Sequence, residues 1–164
     1  MNEGKKFEQD FKKSLEDNKI WHYRIKDSSS SWSNDKNSRF TSKEICDYIV
    51  FEGRILYLVE LKSHLGNSLP FTAIRKNQLE GLCNINANFV LSYFIINMRD
   101  KEKTYAIKAS TVKEYIDTAD RWSIPISFME SNGILIPQQR KITRYKYDVM
   151  KFFGNEEWNY GRSS

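Results

Sequence analysis

The chain has 164 residues, 40% hydrophobic and 14% aromatic, which is enough for one sizeable core and excludes a disordered polymer. Its 26 Lys and Arg against 21 Asp and Glu give a net charge of +5 and a pI near 9.1, compatible with a polyanionic partner but weak evidence alone. There is no apolar leader, no run of about 20 apolar residues, and no zinc or disulfide spacing around Cys46 and Cys83. The expectation is therefore one soluble domain, 1–164, in a reducing cytoplasm, with no membrane segment.

Phe7, Phe11 and Leu15 recur at four-residue intervals and predict an amphipathic helix over about residues 4–18. Trp21, Tyr23 and Ile25 alternate with His22, Arg24 and Lys26, the pattern of a strand with one apolar and one basic face. Residues 27–43, DSSSSWSNDKNSRFTSK, lack periodicity and predict a flexible loop, read either as a linker or as an arm carrying Lys36 and Arg39 to phosphate. The apolar runs 48–51 and 55–59 predict a β-hairpin whose two-residue loop is Glu52-Gly53.

Beyond Pro70, the residues Phe71, Ile74, Gln78 and Leu82 share one helical face. The nearly continuous apolar run 89–96 reads as a strand buried on both faces. Residues 104–108 predict another strand, and Thr111 with Glu114 a capping box opening a helix to about Ala119. Pro125, Gly133 and Pro137 cut the next stretch into short pieces around 134–136, and 145–153 is a predicted last helix. This order of elements predicts an α/β fold, a mixed β-sheet flanked by helices.

The chemistry concentrates in DYIVFEGRILYLVELK, Asp47 to Lys62. Glu60 and Lys62, two apart on a strand, point to one face. If Phe51 pairs with Arg54, Asp47 lies opposite Leu58 and diagonal to Glu60, roughly 7–8 Å away on that same face. A one-residue slip would separate them. Two converging carboxylates repel unless protonated or bridged by a hard cation, magnesium or manganese. Lys62 beside them can hold a phosphate oxygen or favour hydroxide over water, as phosphodiester hydrolysis requires. The competing reading is a plain strand-end ion pair of Glu60 and Lys62; Asp47 at matching parity favours the metal site.

Asp47, followed thirteen residues later by Glu60-Leu61-Lys62, resembles the PD-(D/E)xK nuclease motif. FEQDFKKSL near the N-terminus, and a Pro-Phe segment before a helix carrying Asn77-Gln78, resemble RecU-type Holliday junction resolvases over residues 4–82. The resemblance implies a restriction-endonuclease-like fold and a magnesium-dependent site that manganese can also serve. It makes Asp47 and Glu60 metal ligands, Lys62 the transition-state stabiliser, and Gln78 a further polar group at the metal or its water. Glu8 is either a carboxylate of the active site or an ordinary exposed helix charge.

The resemblance further implies a homodimer acting on branched DNA, the four-way junction, in a bacterial cell and as a compact, phage-type version. Arg24, Lys26, Lys36, Arg39 and Arg75 are the expected phosphate contacts. Ile45 stands where relatives have Thr, and Asn77 where they have His, which leaves the reaction intact and the substrate preference open. Two rivals remain: another nuclease of this fold, of restriction or repair type, and a DNA-binding module that does not cut.

Overall fold

A computed structural model of the chain describes residues 2–25 and 44–154. Lys26, Lys36 and Arg39, and the loop expected over 27–43, lie outside the described residues. Helix α1 (Glu3–Asp17) opens on Asn2, whose side chain accepts a hydrogen bond from the Gly4 N–H at 2.9 Å. Its buried stripe holds Phe7, Phe11 and Leu15, and also the polar Asp10 and Ser14.

The strands are β1 (Trp21–Arg24), β2 (Tyr48–Glu52), β3 (Ile55–His64), β4 (Ser68–Pro70), β5 (Val90–Met98), β6 (Lys103–Lys108), β7 (Ser123–Pro125), β8 (Ile134–Ile136), β9 (Gln138–Lys141) and β10 (Arg144–Tyr147). Six of them form the central sheet in the order β1-β2-β3-β5-β6-β8. Neighbours are antiparallel except β3 and β5, which run parallel, so the chain must cross over between them. Helix α2 (Lys76–Cys83) lies in that crossover. The remaining helices are α3 (Ala109–Thr118), α4 (Ile126–Asn132) and α5 (Met150–Phe153).

Alternation along the strands divides the core between the two faces of the sheet. Tyr57, Val59 and Ile95 pack with Phe7 and Phe11 of α1 and Phe152 of α5. Leu58, Phe94, Ile96 and Ile107 pack with Leu79 and Leu82 of α2, Val112 of α3 and Met129 of α4. Fully burying a side chain such as Phe11 or Leu15 contributes on the order of 1.5–3 kcal/mol. The sheet is thus mixed and flanked by helices, as its order of elements predicts.

Several local expectations are corrected. The β2–β3 loop is Gly53-Arg54, because Glu52 pairs with Ile55. Gly53 at φ 62 supplies the positive φ that a type II′ turn needs at its first central position. The register therefore moves by two residues from the expected one, and since the side-chain period is two, Asp47 keeps its face.

Phe71–Ala73 is a separate 3-10 turn, and the extended Ile74 and Arg75 precede α2. The Thr111–Glu114 capping box is absent: α3 starts at Ala109, directly after β6, with no side-chain cap. The expected last helix begins only at Met150, because Arg144–Tyr147 pairs with β9 as a strand. Helix α4 forms over Ile126–Asn132, where the sequence predicts only short pieces.

Candidate active site

Strand β3 starts in the core and ends in the site. Leu58 is still packed among apolar neighbours, and Glu60, the next residue on that face, is 2% exposed. Asp47 sits just before β2 and is clamped from both sides. Its N–H donates to the Val59 carbonyl at 3.0 Å, and its own carbonyl accepts from the Ile25 N–H at 2.8 Å. Its Oδ2 accepts from the Leu61 N–H at 2.8 Å, which fixes the carboxylate beside Glu60.

Helix α2 lies over this face and contributes Gln78, which is buried. Its Nε2 donates to Glu60 Oε1 at 2.6 Å, while its Oε1 accepts from Lys62 Nζ at 3.0 Å. Lys62 Nζ also lies 2.8 Å from Glu60 Oε1. The expected strand-end ion pair exists, but it is inside the protein, with an amide fixing both partners.

Burial pushes the Glu60 carboxyl up to about 7, and the Asp47 charge adds to it against the pull of Lys62 and Gln78. Asp47 is raised as well, first by burial, with the Leu61 N–H and Lys62 opposing and Glu8 adding. Glu60 Oε2 is buried and has no hydrogen-bond partner. A buried carboxylate oxygen with no donor on it, in a group that feels a second carboxylate's charge, suits a cation or a proton. Among the described residues no three His, Cys, Asp or Glu side chains come together as a full cage. Two carboxylates with water and phosphate completing the shell is the usual arrangement for magnesium at a phosphate-handling site.

Glu8 stands on α1 at the border of this group. Its Oε1 is paired with Arg24 Nε and accepts from the Tyr48 hydroxyl at 3.3 Å. Arg24, expected on phosphate, is held by Glu8 and remains partly exposed. Arg75 is exposed at the start of α2, three residues before Gln78. The sequence reading missed the Leu61 N–H and the Tyr48 hydroxyl. A backbone donor leaves no trace in residue identity, and Tyr48 was indistinguishable from a core aromatic.

The profile of the family RecU, Recombination protein U, matches residues 4–150 of the chain. The chain belongs to the RecU family. All five candidate site residues, Glu8, Asp47, Glu60, Lys62 and Gln78, fall within the RecU match. The SPbeta prophage-derived uncharacterized protein YotM of Bacillus subtilis (strain 168) is 28% identical over 169 residues, covering 93% of this chain and 86% of that protein. The structure resembles that of Archaeoglobus fulgidus Hjc, a Holliday junction resolvase from an archaeal hyperthermophile, with a TM-score of 0.54 at 15% identity. That match covers 79% of this chain and 93% of Hjc. At such identity it speaks to the fold alone, and the fold is restriction-endonuclease-like.

Proposed function

We propose that the chain is a structure-selective endodeoxyribonuclease that hydrolyses phosphodiesters in four-way DNA junctions. The observation that carries this reading is the buried Glu60 carboxylate beside the half-buried Asp47, with Glu60 Oε2 unpartnered and Lys62 tied to the same carboxylate. Burying one carboxylate with a second carboxylate and an ammonium half-buried around it is unfavourable for stability alone, so the cluster reads as a site kept for chemistry.

Asp47 and Glu60 are the proposed holders of magnesium, or of manganese in its place, with the Gln78 amide beside its water. A cation held there supplies charge neutralisation and Lewis acidity to the scissile phosphodiester. Lys62 is fixed by Glu60 and Gln78 where it can meet a non-bridging phosphate oxygen and stabilise the charge that grows in the transition state. Gln78 sets the spacing of Lys62 and Glu60, so substrate finds the ammonium already in place. Glu8 holds Arg24 and adds negative potential at Asp47.

Two symmetric nicks call for two symmetric sites, so the proposed working form is a C2 homodimer. Arg75, next to α2, and Arg24 are proposed to hold backbone phosphate, with Lys26, Lys36 and Arg39. A bacterial cytoplasm, by way of a phage genome, is the proposed setting, in keeping with the prophage-derived relative.

The test compares junction, flap, duplex and single-stranded DNA at equal salt, with and without magnesium. Magnesium-dependent cutting of the junction in preference to the others is the expected result. Preference for duplex would favour a restriction or repair nuclease, and tight binding without cutting would overturn the enzymatic reading.

A further inference from the structure

The β9–β10 hairpin takes no part in the site above and carries a feature that folding does not explain. Lys141 pairs with Arg144, so Ile142-Thr143 is a two-residue turn. Ile142 sits there at φ 24 and is 96% exposed. Such a turn calls for Gly, Asn or Asp at its positive-φ position, and a β-branched side chain there is strained. The strain is not offset by burial, because the side chain is almost wholly in water. Both local preference and packing would favour another residue, which points to use outside the fold.

The rest of the hairpin is made to hold that tip on a polyanion. Lys141 and Lys146 share one face by register and alternation and are exposed, and residues 138–147 contain no acid. It is anchored to α1 along its length, from Arg144 beside the turn to Tyr147 at the base. Arg144 pairs with Asp10, the Tyr145 N–H donates to Asp10 Oδ2 at 3.0 Å, and the Tyr147 N–H donates to Ser14 Oγ at 3.0 Å. The Tyr145 hydroxyl donates to Glu102 at 2.6 Å. A hollow of about 350 Å³ between the hairpin and the start of α1 is lined by Lys6, Arg99 and Arg140 together with the acids Glu3 and Asp10, and Arg140 also lies 3.6 Å from Glu102. Arg99 Nε is buried there with no hydrogen-bond partner.

We propose that this hairpin is a DNA-binding ribbon: its cations seat it on backbone phosphate, and Ile142 enters a base step as an apolar wedge. Apolar side chains on basic elements unstack and kink DNA in this way. Glu8, bordering the catalytic group, and Asp10, anchoring the hairpin, lie roughly 200° apart around α1, so the ribbon extends the proposed DNA surface beyond the site, on the far side of that helix. This rests on the DNA-cleaving function proposed above, and its test uses binding without metal so that the two can fail separately.

A four-way junction carrying 2-aminopurine at successive steps near the branch is titrated in EDTA with wild type, Ile142→Asn and the double variant Lys141→Ala/Lys146→Ala. Asn suits the turn, so Ile142→Asn should melt no lower than wild type, which separates a lost wedge from a damaged fold. It should bind about tenfold more weakly, as expected for losing one buried aliphatic side chain, and abolish the fluorescence rise at one step. The lysine variant should lower the slope of log K against log salt by about 1 per residue while keeping the fluorescence rise at saturation. An Ile142→Asn protein that binds and unstacks like wild type overturns the wedge. A wild type that unstacks the junction but never cuts it overturns only the nuclease reading, and one that binds no DNA overturns both.

Discussion

Glu60 is buried beside the half-buried Asp47, and that proximity has a measurable consequence. In the metal-free protein the Glu60 carboxyl is pushed up to about 7 from an ordinary 4.5. The folded state therefore keeps a proton that the unfolded chain has already released. By linkage, the contribution of Glu60 to stability is greatest below about pH 4.5, falls as pH rises toward about 7, and then levels off. Thermal melts of wild type against Glu60→Gln should show this decline in wild type only, and magnesium should reduce it. Equal profiles would place the raised carboxyl elsewhere. Lys62→Ala should lower single-turnover cleavage roughly 10²-fold or more, the scale for deleting one charge-stabilising group, with junction binding near normal. A Lys62→Ala enzyme cutting at the wild-type rate would return the pair to a structural ion pair. Gln78→Ala should cost less, roughly tenfold, through loss of positioning, and should leave binding unchanged.

At the scale of elements, the site depends on how closely α2 lies against the segment leading to Asp47. Gly81, one turn beyond Gln78, has no room for a side chain: a Cβ there would lie 2.4 Å from Ile45 Cγ2. Ile45 is two residues before Asp47, so that clash would push the carboxylate away from Glu60 and Gln78. Gly→Ala within a helix ordinarily stabilises by about 0.5–1 kcal/mol, whereas Gly81→Ala is expected to lower both the melting temperature and the cleavage rate. The added substitution Ile45→Ala should recover part of both. If Gly81→Ala is more stable and fully active, the packing of α2 on Ile45 does not control the site.

For the whole molecule, binding and chemistry should separate. In the proposed function, phosphate affinity comes from exposed cations spread over the surface, while cleavage is confined to the few groups around Glu60. Asp47→Asn should therefore abolish cutting and retain junction binding, measured by titration in calcium or EDTA. Replacing Lys36 and Arg39 together with Ala should weaken binding and reduce its salt slope by about 2. An unchanged slope would make residues 27–43 a linker only.

What the amino-acid order determined by itself was whatever depends on local period. The four-residue spacing of Phe7, Phe11 and Leu15 marks α1, and the parity of Asp47, Glu60 and Lys62 survives a two-residue error in register because alternation repeats every two residues. The buried Asp10 and Ser14 on the same helix were not among the residues its apolar period marked. Tertiary structure decided the contacts between distant segments. It made Arg144–Tyr147 a strand, since α1 offers Asp10 and Ser14 to its backbone, and it began α3 directly on β6 without the box at Thr111. It also turned Glu60 from a strand-end charge into a buried one. That change requires α2, sixteen and more residues on, to bring Gln78 over the sheet, and a contact at such separation follows from packing of whole elements rather than from any residue's own preference.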